Sequence, residues 1–183
     1  MKLPISQNFF SIPSVYNGRT SSLRVSDTPI RRPRGVMQEC PTSPPSLTTS
    51  KRFDFELEMG VFLSKPLPAG HILDIQNARD HIFGFVILND WSARDIQGFE
   101  MAPLGPFHSK GSGTSISPWI VTLEALDNVA CPVQTPQSPA PLPHLTWKGE
   151  EDKATFDIRL EAKILSMSPY FALFCWLVRA LTR

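Results

Sequence analysis

The 183-residue sequence has little cysteine, almost no net charge and no long apolar run, and each shortage excludes a class of protein. Its three cysteines, Cys40, Cys131 and Cys175, are widely spread and show no CxxC pairing or metal-ligand rhythm, so a disulfide framework and a thiolate metal site are not expected. A reduced, intracellular setting fits them best, and a cytoplasmic protein is expected. A formal net charge of +1 leaves no global field to recruit nucleic acid or an anionic membrane surface. The one basic cluster, "IRRPRG" at 30–35, lacks interleaved aromatics and reads as a solvated turn. "YFALFCWLV" at 170–178 is the longest apolar stretch and falls well short of the ~20 residues that span a bilayer, so no membrane partner is expected. "MKLPISQNFFSIPS" at the start has no apolar core of signal-peptide length, and no internal repeat is visible.

What is present suits one ordinary globular domain, with 42% hydrophobic and 19% charged residues. Proline is plentiful, 18 in all, and it clusters in "CPTSPPSLTTS" (40–50) and "CPVQTPQSPAPLP" (131–143), which read as extended, polyproline-like loops. "HIFGFVILND" (81–90) is a continuous apolar run suited to a strand buried on both faces, and Asp90 ends it. "WSARDIQGFE" then predicts a short helix or turn capped by Ser92, and "MAPLGPFHSKGSGTSISPW" predicts a loop at a strand end. "SPWIVTLEAL" is strand-like, and "ATFDIRLEAKIL" predicts a strand with Phe156, Ile158 and Leu160 inward. The expected fold is mainly β with little helix.

"RFDFELEMGVF" (52–62) alternates large apolar and polar residues, the period of a half-buried strand. Phe53, Phe55, Leu57 and Met59 are expected to face a core, which puts Asp54, Glu56 and Glu58 together on the opposite face. Like charges at that spacing repel. Either water screens them, or a hard divalent cation collects their oxygens and offsets the repulsion.

"DFELEM", "HIFGFVILNDWSARDIQGFEMAPLGPF" and "KGSGTSISPWIV", in that order, resemble the fumarylacetoacetase family, and "VYNGRTSSLRVSDTPIRRPRG" fits the same family. The resemblance runs from about residue 8 to about 165. It implies a partial mixed β-sandwich roll at 1–165, followed by a divergent tail at 166–183. It also implies hydrolysis of a carbon–carbon bond in 4-fumarylacetoacetate, a small β-diketo acid, to fumarate and acetoacetate at the end of tyrosine breakdown. A homodimer with calcium and magnesium is part of the same expectation. Position by position, Glu56, Glu58 and Asp90 match metal ligands, Lys110 and Thr114 match a second, magnesium-type site beside Asp90, and Tyr16 and Gln97 match substrate-contacting positions. Asp54 matches no ligand and reads as a solvated or loosely paired acid. His71, His81, His108 and His144 are scattered and read as structural or exposed.

The family's general-base histidine, a fourth carboxylate ligand and a substrate-binding arginine belong to a segment that precedes the "YNGR" stretch. The sequence therefore reads as a truncated chain with no catalytic residue assigned. Asn17 stands where a histidine is usual, Met101 where a substrate-binding tyrosine is usual, and Ser112 where a phenylalanine is usual. Met101 cannot donate a hydroxyl hydrogen bond. The alternatives are a non-catalytic fragment that pairs with longer subunits, or another reaction on the same fold, an oxaloacetate decarboxylase or an isomerase.

Overall fold

The computed structural model of the chain describes residues 5–12, 20–163 and 175–176. In chain order the strands are β1 (Leu23–Val25), β2 (Arg34–Met37), β3 (Ser46–Thr49), β4 (Phe53–Asp54), β5 (Leu57–Leu63), β6 (Ile82–Asp90) and β7 (Ser92–Ala93). Helix α1 (Arg94–Leu104), β8 (Thr114–Ile116), β9 (Val121–Thr122) and helix α2 (Leu123–Leu126) follow. The remaining strands are β10 (Ala130–Cys131), β11 (Thr155–Phe156), β12 (Ala162–Lys163) and β13 (Cys175–Trp176). Strands dominate, as expected. The largest sheet has the order β1–β8–β6–β5, with β9 also on β6, and it is mixed: β1 runs parallel to β8, while β6 runs antiparallel to it.

The chain divides into two compact units. One comprises Asn17–Gly60 and Val86–Ile120 and holds every predicted metal position. Here β2 and β3 form an antiparallel hairpin from Arg34↔Thr49 to Met37↔Ser46. Two expectations change at this hairpin. The basic cluster is not wholly a turn, because Arg34 opens β2; the proline-rich stretch is not wholly loop, because Ser46–Thr49 is proline-free and can supply ladder N–H groups. Pro41, Pro44 and Pro45 stay in the connection.

The core of this unit is Met37, Ala93 and Ile96, with Phe53 packed against them and stacked on Trp91 at 5.2 Å. Gly35 lets β2 lie close on α1: a Cβ there would stand 2.6 Å from Ile96 Cδ1. The alternating segment at 52–62 is not one strand. β4 pairs with β7, β5 belongs to the sheet of β6, and the change of partner falls at Phe55–Glu56. At this break Glu56 N–H donates to the Asn89 side-chain oxygen at 3.1 Å, and Asp90 N–H donates to the Glu56 carbonyl at 3.1 Å. Phe53, Phe55 and Leu57 are half-buried, but Met59 is exposed.

β6 is covered on both faces for most of its length, with Gly84 and Val86 buried on one face and Asn89 on the other, and only Phe83 near its start is exposed, at 48%. Helix α1 starts later than expected, with Ala93 at its N-cap, and buried Ser92 instead donates to the Asp90 carbonyl. Asp95 takes over the anchoring. Its carboxylate accepts from Ser50 Oγ at 2.7 Å, Lys51 N at 2.6 Å and Ile96 N at 3.0 Å. The helix runs into the expected loop, breaks at Ala102 before Pro103, and ends at Gly105 with φ +80°.

The other unit comprises Met1–Tyr16, Val61–Phe85 and Val121–Arg183. The strand-like "SPWIVTLEAL" is a strand only at β9, whose Thr122 and Val121 pair with Gly84 and Phe85; it then turns into α2, which buries Leu123 and Leu126. β10 pairs with β11, and Phe156 meets Phe85 edge-on at 6.0 Å. Of the long strand expected over 154–165, the described residues to 163 form only β11 and β12. Phe156 and Ile158 are half-buried, and Leu160 is exposed. The expected tail at 166–183 lies outside the described residues except for β13, which pairs with β12.

Candidate metal centre

Glu56 stands at the break between β4 and β5, Glu58 on β5, and Asp90 at the last position of β6. One carboxylate oxygen from each lies within 4.8 Å of the others. The strand break therefore does what the alternation alone could not, since it aims Glu56 toward the end of β6 as well as toward Glu58.

Two cations hold the cluster. Lys110 Nζ donates to Asp90 Oδ2 at 2.8 Å and to Glu56 Oε2, with its side chain only 9% exposed. Arg94, in the first turn of α1, donates from Nη1 to Glu56 Oε1 at 2.6 Å and from Nε to Asp54 Oδ2 at 2.9 Å. Burial would raise the Glu56 carboxyl, but Lys110 and Arg94 outweigh it and hold the group below the usual carboxylate range. Glu58 goes the other way: the residue as a whole is exposed, but partial desolvation of its carboxyl, with the charges of Asp90 and Glu56 beside it, pushes it up.

The remaining predicted positions are distributed around this centre. Thr114 on β8 is the ladder partner of Asp90. The Gln97 carbonyl oxygen accepts from Arg94 Nη1 at 3.2 Å, leaving its amide N–H groups out of that contact. Met101 lies on α1, half-exposed at 49%. Tyr16 lies outside the described residues. His71, His108 and His144 are exposed, and His81 Nδ1 lies 3.3 Å from the Lys65 carbonyl.

Sequence reading missed two groups. Arg94 stands in "NDWSARD", where local pattern alone gives it no partner. Glu100 gave no signal at all. It is 6% exposed and accepts the backbone N–H groups of Phe107 at 2.9 Å, His108 at 3.2 Å and Ser109 at 2.8 Å. Burial would raise its carboxyl, but these hydrogen bonds win and hold it low. Glu100 thereby fixes the loop that delivers Lys110.

Three anionic oxygen donors so close together fit a hard divalent ion. The set Asp90, Lys110 and Thr114 fits a second ion poorly through its side chains, because Lys110 offers only donors and Asp90 is the sole anion.

The carboxylate trio, with cationic and amide donors beside it, offers the donor set of a divalent-ion site. Residues 3–164 match the family described as Fumarylacetoacetate (FAA) hydrolase C-terminal, and the chain belongs to that family. Among similar proteins, the fumarylacetoacetase of Arabidopsis thaliana is 48% identical over 161 residues, 87% of this chain and 37% of the relative. The Rattus norvegicus fumarylacetoacetase is 46% identical over 157 residues, 86% of this chain and 36% of the relative. That of Homo sapiens is 45% identical over 157 residues, with the same coverage, 86% and 36%. The chain thus spans little more than a third of the length of the curated relatives it matches.

Proposed function

We propose that this chain carries the metal-binding part of a site that hydrolyses the carbon–carbon bond of 4-fumarylacetoacetate, giving fumarate and acetoacetate. The observation behind this reading is the trio Glu56, Glu58 and Asp90 with oxygens within 4.8 Å, in a chain of this family. The all-oxygen donor set suits calcium, and magnesium is the alternative ion. When bound, the ion supplies Lewis acidity toward the substrate's two carbonyl oxygens.

The chain's own residues then do three things. Glu56, Glu58 and Asp90 hold the ion. Arg94 orients Gln97 through its carbonyl oxygen, which leaves the amide N–H groups to meet substrate oxygen. Lys110 has one N–H beyond the two it gives to Glu56 and Asp90, and it faces the negative charge that grows as the enolate leaves. In the overall reaction the hydroxyl of water joins the fumaryl carbonyl carbon, the bond to the acetoacetate carbon breaks, and the leaving enolate takes the proton. Tyr16 and Met101 belong to the substrate side of this proposal, and Thr114 to the ion side. Residues 1–165 form the family part and 166–183 the tail. A cytoplasmic homodimer completes the reading; no helix among the described residues is long and apolar enough to cross a membrane.

None of the four histidines is assigned as general base. Loss of such a base typically costs about 10² to 10⁴ in rate, so the 183-residue chain alone is expected to turn over at least ~100-fold slower than a complete relative. Diketone absorbance followed with purified chain and calcium tests this. A calcium-dependent shift on mixing, with slow decay, supports the reading. Turnover equal to that of a complete relative would mean another residue serves as base, and no calcium-dependent change at all would remove the diketone from the site.

A further inference from the structure

We propose that the ammonium of Lys110 is itself the second cation of the carboxylate cluster, so that the chain takes one divalent ion and not two. This rests on the metal reading above and goes beyond it. Lys110 stands between Glu56 and Asp90, 2.8 Å from Asp90 Oδ2 and in contact with Glu56 Oε2, with 9% of its side chain exposed. It is not a surface side chain that swings away at no cost.

The approach to it is pinned on both sides. Glu100 accepts the N–H groups of the three residues before it, Phe107, His108 and Ser109, and the Ser109 carbonyl accepts Ala93 N–H at 3.0 Å. After it, the Gly113 carbonyl accepts Trp91 N–H at 3.3 Å. The backbone on either side of Lys110 is thus tied to α1 and to the segment that follows Asp90.

The charge pattern agrees. Asp54, Glu56, Glu58 and Asp90 form a connected group of carboxylates, with Arg94 and Lys110 as the cations fixed among them. Four negative charges against two positive ones leave an excess that one divalent ion neutralises. Glu58 has no ion-pair partner among the described residues, so the uncompensated side of the cluster is its side. An ion that enters there shares Glu56 and Asp90 with Lys110. A second divalent ion beside Asp90 would press against a largely buried ammonium, where like-charge repulsion is poorly screened, and the ammonium has no lone pair to offer it.

Calorimetric titration and native mass spectrometry of the full 183-residue chain with calcium, repeated with magnesium, provide the test. The expected result is one calcium per chain at saturation, with magnesium competing for the same place. In Lys110→Met the repulsion is gone, and calcium affinity is expected to rise by about tenfold or more. Two ions on the wild-type chain, or an affinity in Lys110→Met that is equal or weaker, overturns the proposal. The wild-type count decides the matter even where Lys110→Met fails to fold. No calcium on either protein would overturn this proposal and the metal reading together, whereas two ions on the wild type overturns this proposal alone.

Discussion

Glu100 Oε1 accepts the backbone N–H of Ser109 at 2.8 Å, so a buried carboxylate of α1 sets the position of the residue immediately before Lys110. Glu100→Ala leaves three backbone donors without this acceptor and is expected to cost about 2–3 kcal/mol, measured by denaturant unfolding. Glu100→Gln keeps one acceptor oxygen and should cost less. The Glu100 carboxyl is held below its ordinary value of 4.5, so its contribution is fully present above that pH and is lost as pH falls through the folded value. The stability gap between wild type and Glu100→Gln should therefore shrink only in acid. A gap that is constant down to acid unfolding would contradict the assignment.

Glu58 gives the opposite sign. Its carboxyl is pushed above 4.5 by partial desolvation and by the charges of Asp90 and Glu56, so keeping it charged in the ion-free protein is unfavourable. Glu58→Gln is expected to be slightly more stable than wild type at neutral pH without calcium. The difference should vanish below the unfolded value, where Glu58 is protonated in both states. With calcium present the order should reverse, because the variant has lost a ligand. Thermal melts at two pH values, with and without calcium, check both signs.

Arg94 joins Asp54, Glu56 and Gln97 from one guanidinium. Lysine cannot reproduce that fork, so Arg94→Lys is expected to behave much like Arg94→Met. Because Arg94 and Asp54 are both more than a third exposed or close to it, the stability loss should be only about 1 kcal/mol. A loss as large as that of Glu100→Ala would show that the fork is better shielded from solvent than its exposure implies.

Among the described residues β5 ends the sheet order, and its Val61, Phe62 and Leu63 are all exposed. An edge strand with such a row invites pairing with another chain. The chain is expected to self-associate in light scattering, and Phe62→Lys should reduce this without lowering the unfolding midpoint. A monodisperse monomer at high concentration would contradict it.

Cys40 is exposed, and hydrogen bonds from Thr42 and Ser43 bring its thiol down to about 7. Its alkylation rate should rise through neutral pH, and Thr42→Val should move that rise upward. A midpoint near the ordinary thiol value in the wild-type chain would remove Thr42 from the account.

The sequence by itself determined the β character, the two acids at positions 56 and 58, and the acid that closes the apolar run at 90, because each rests on local pattern and ordered motifs. It did not show that the strand at 52–62 changes partner at Phe55–Glu56, that Ser46–Thr49 pairs with β2, or that "TLEAL" turns helical. Strand partners are chosen by long-range competition that no window of the chain contains. It also left Glu100 unnoticed, since a lone glutamate in a helix looks solvated until the loop at 107–109 folds back onto it. Tertiary structure alone decided that Arg94 and Lys110 each meet Glu56 from a different side. Their charges come together only when the ends of β4, β6 and α1 and the loop before β8 converge, and at that distance paired charges outweigh burial for Glu56 but not for Glu58.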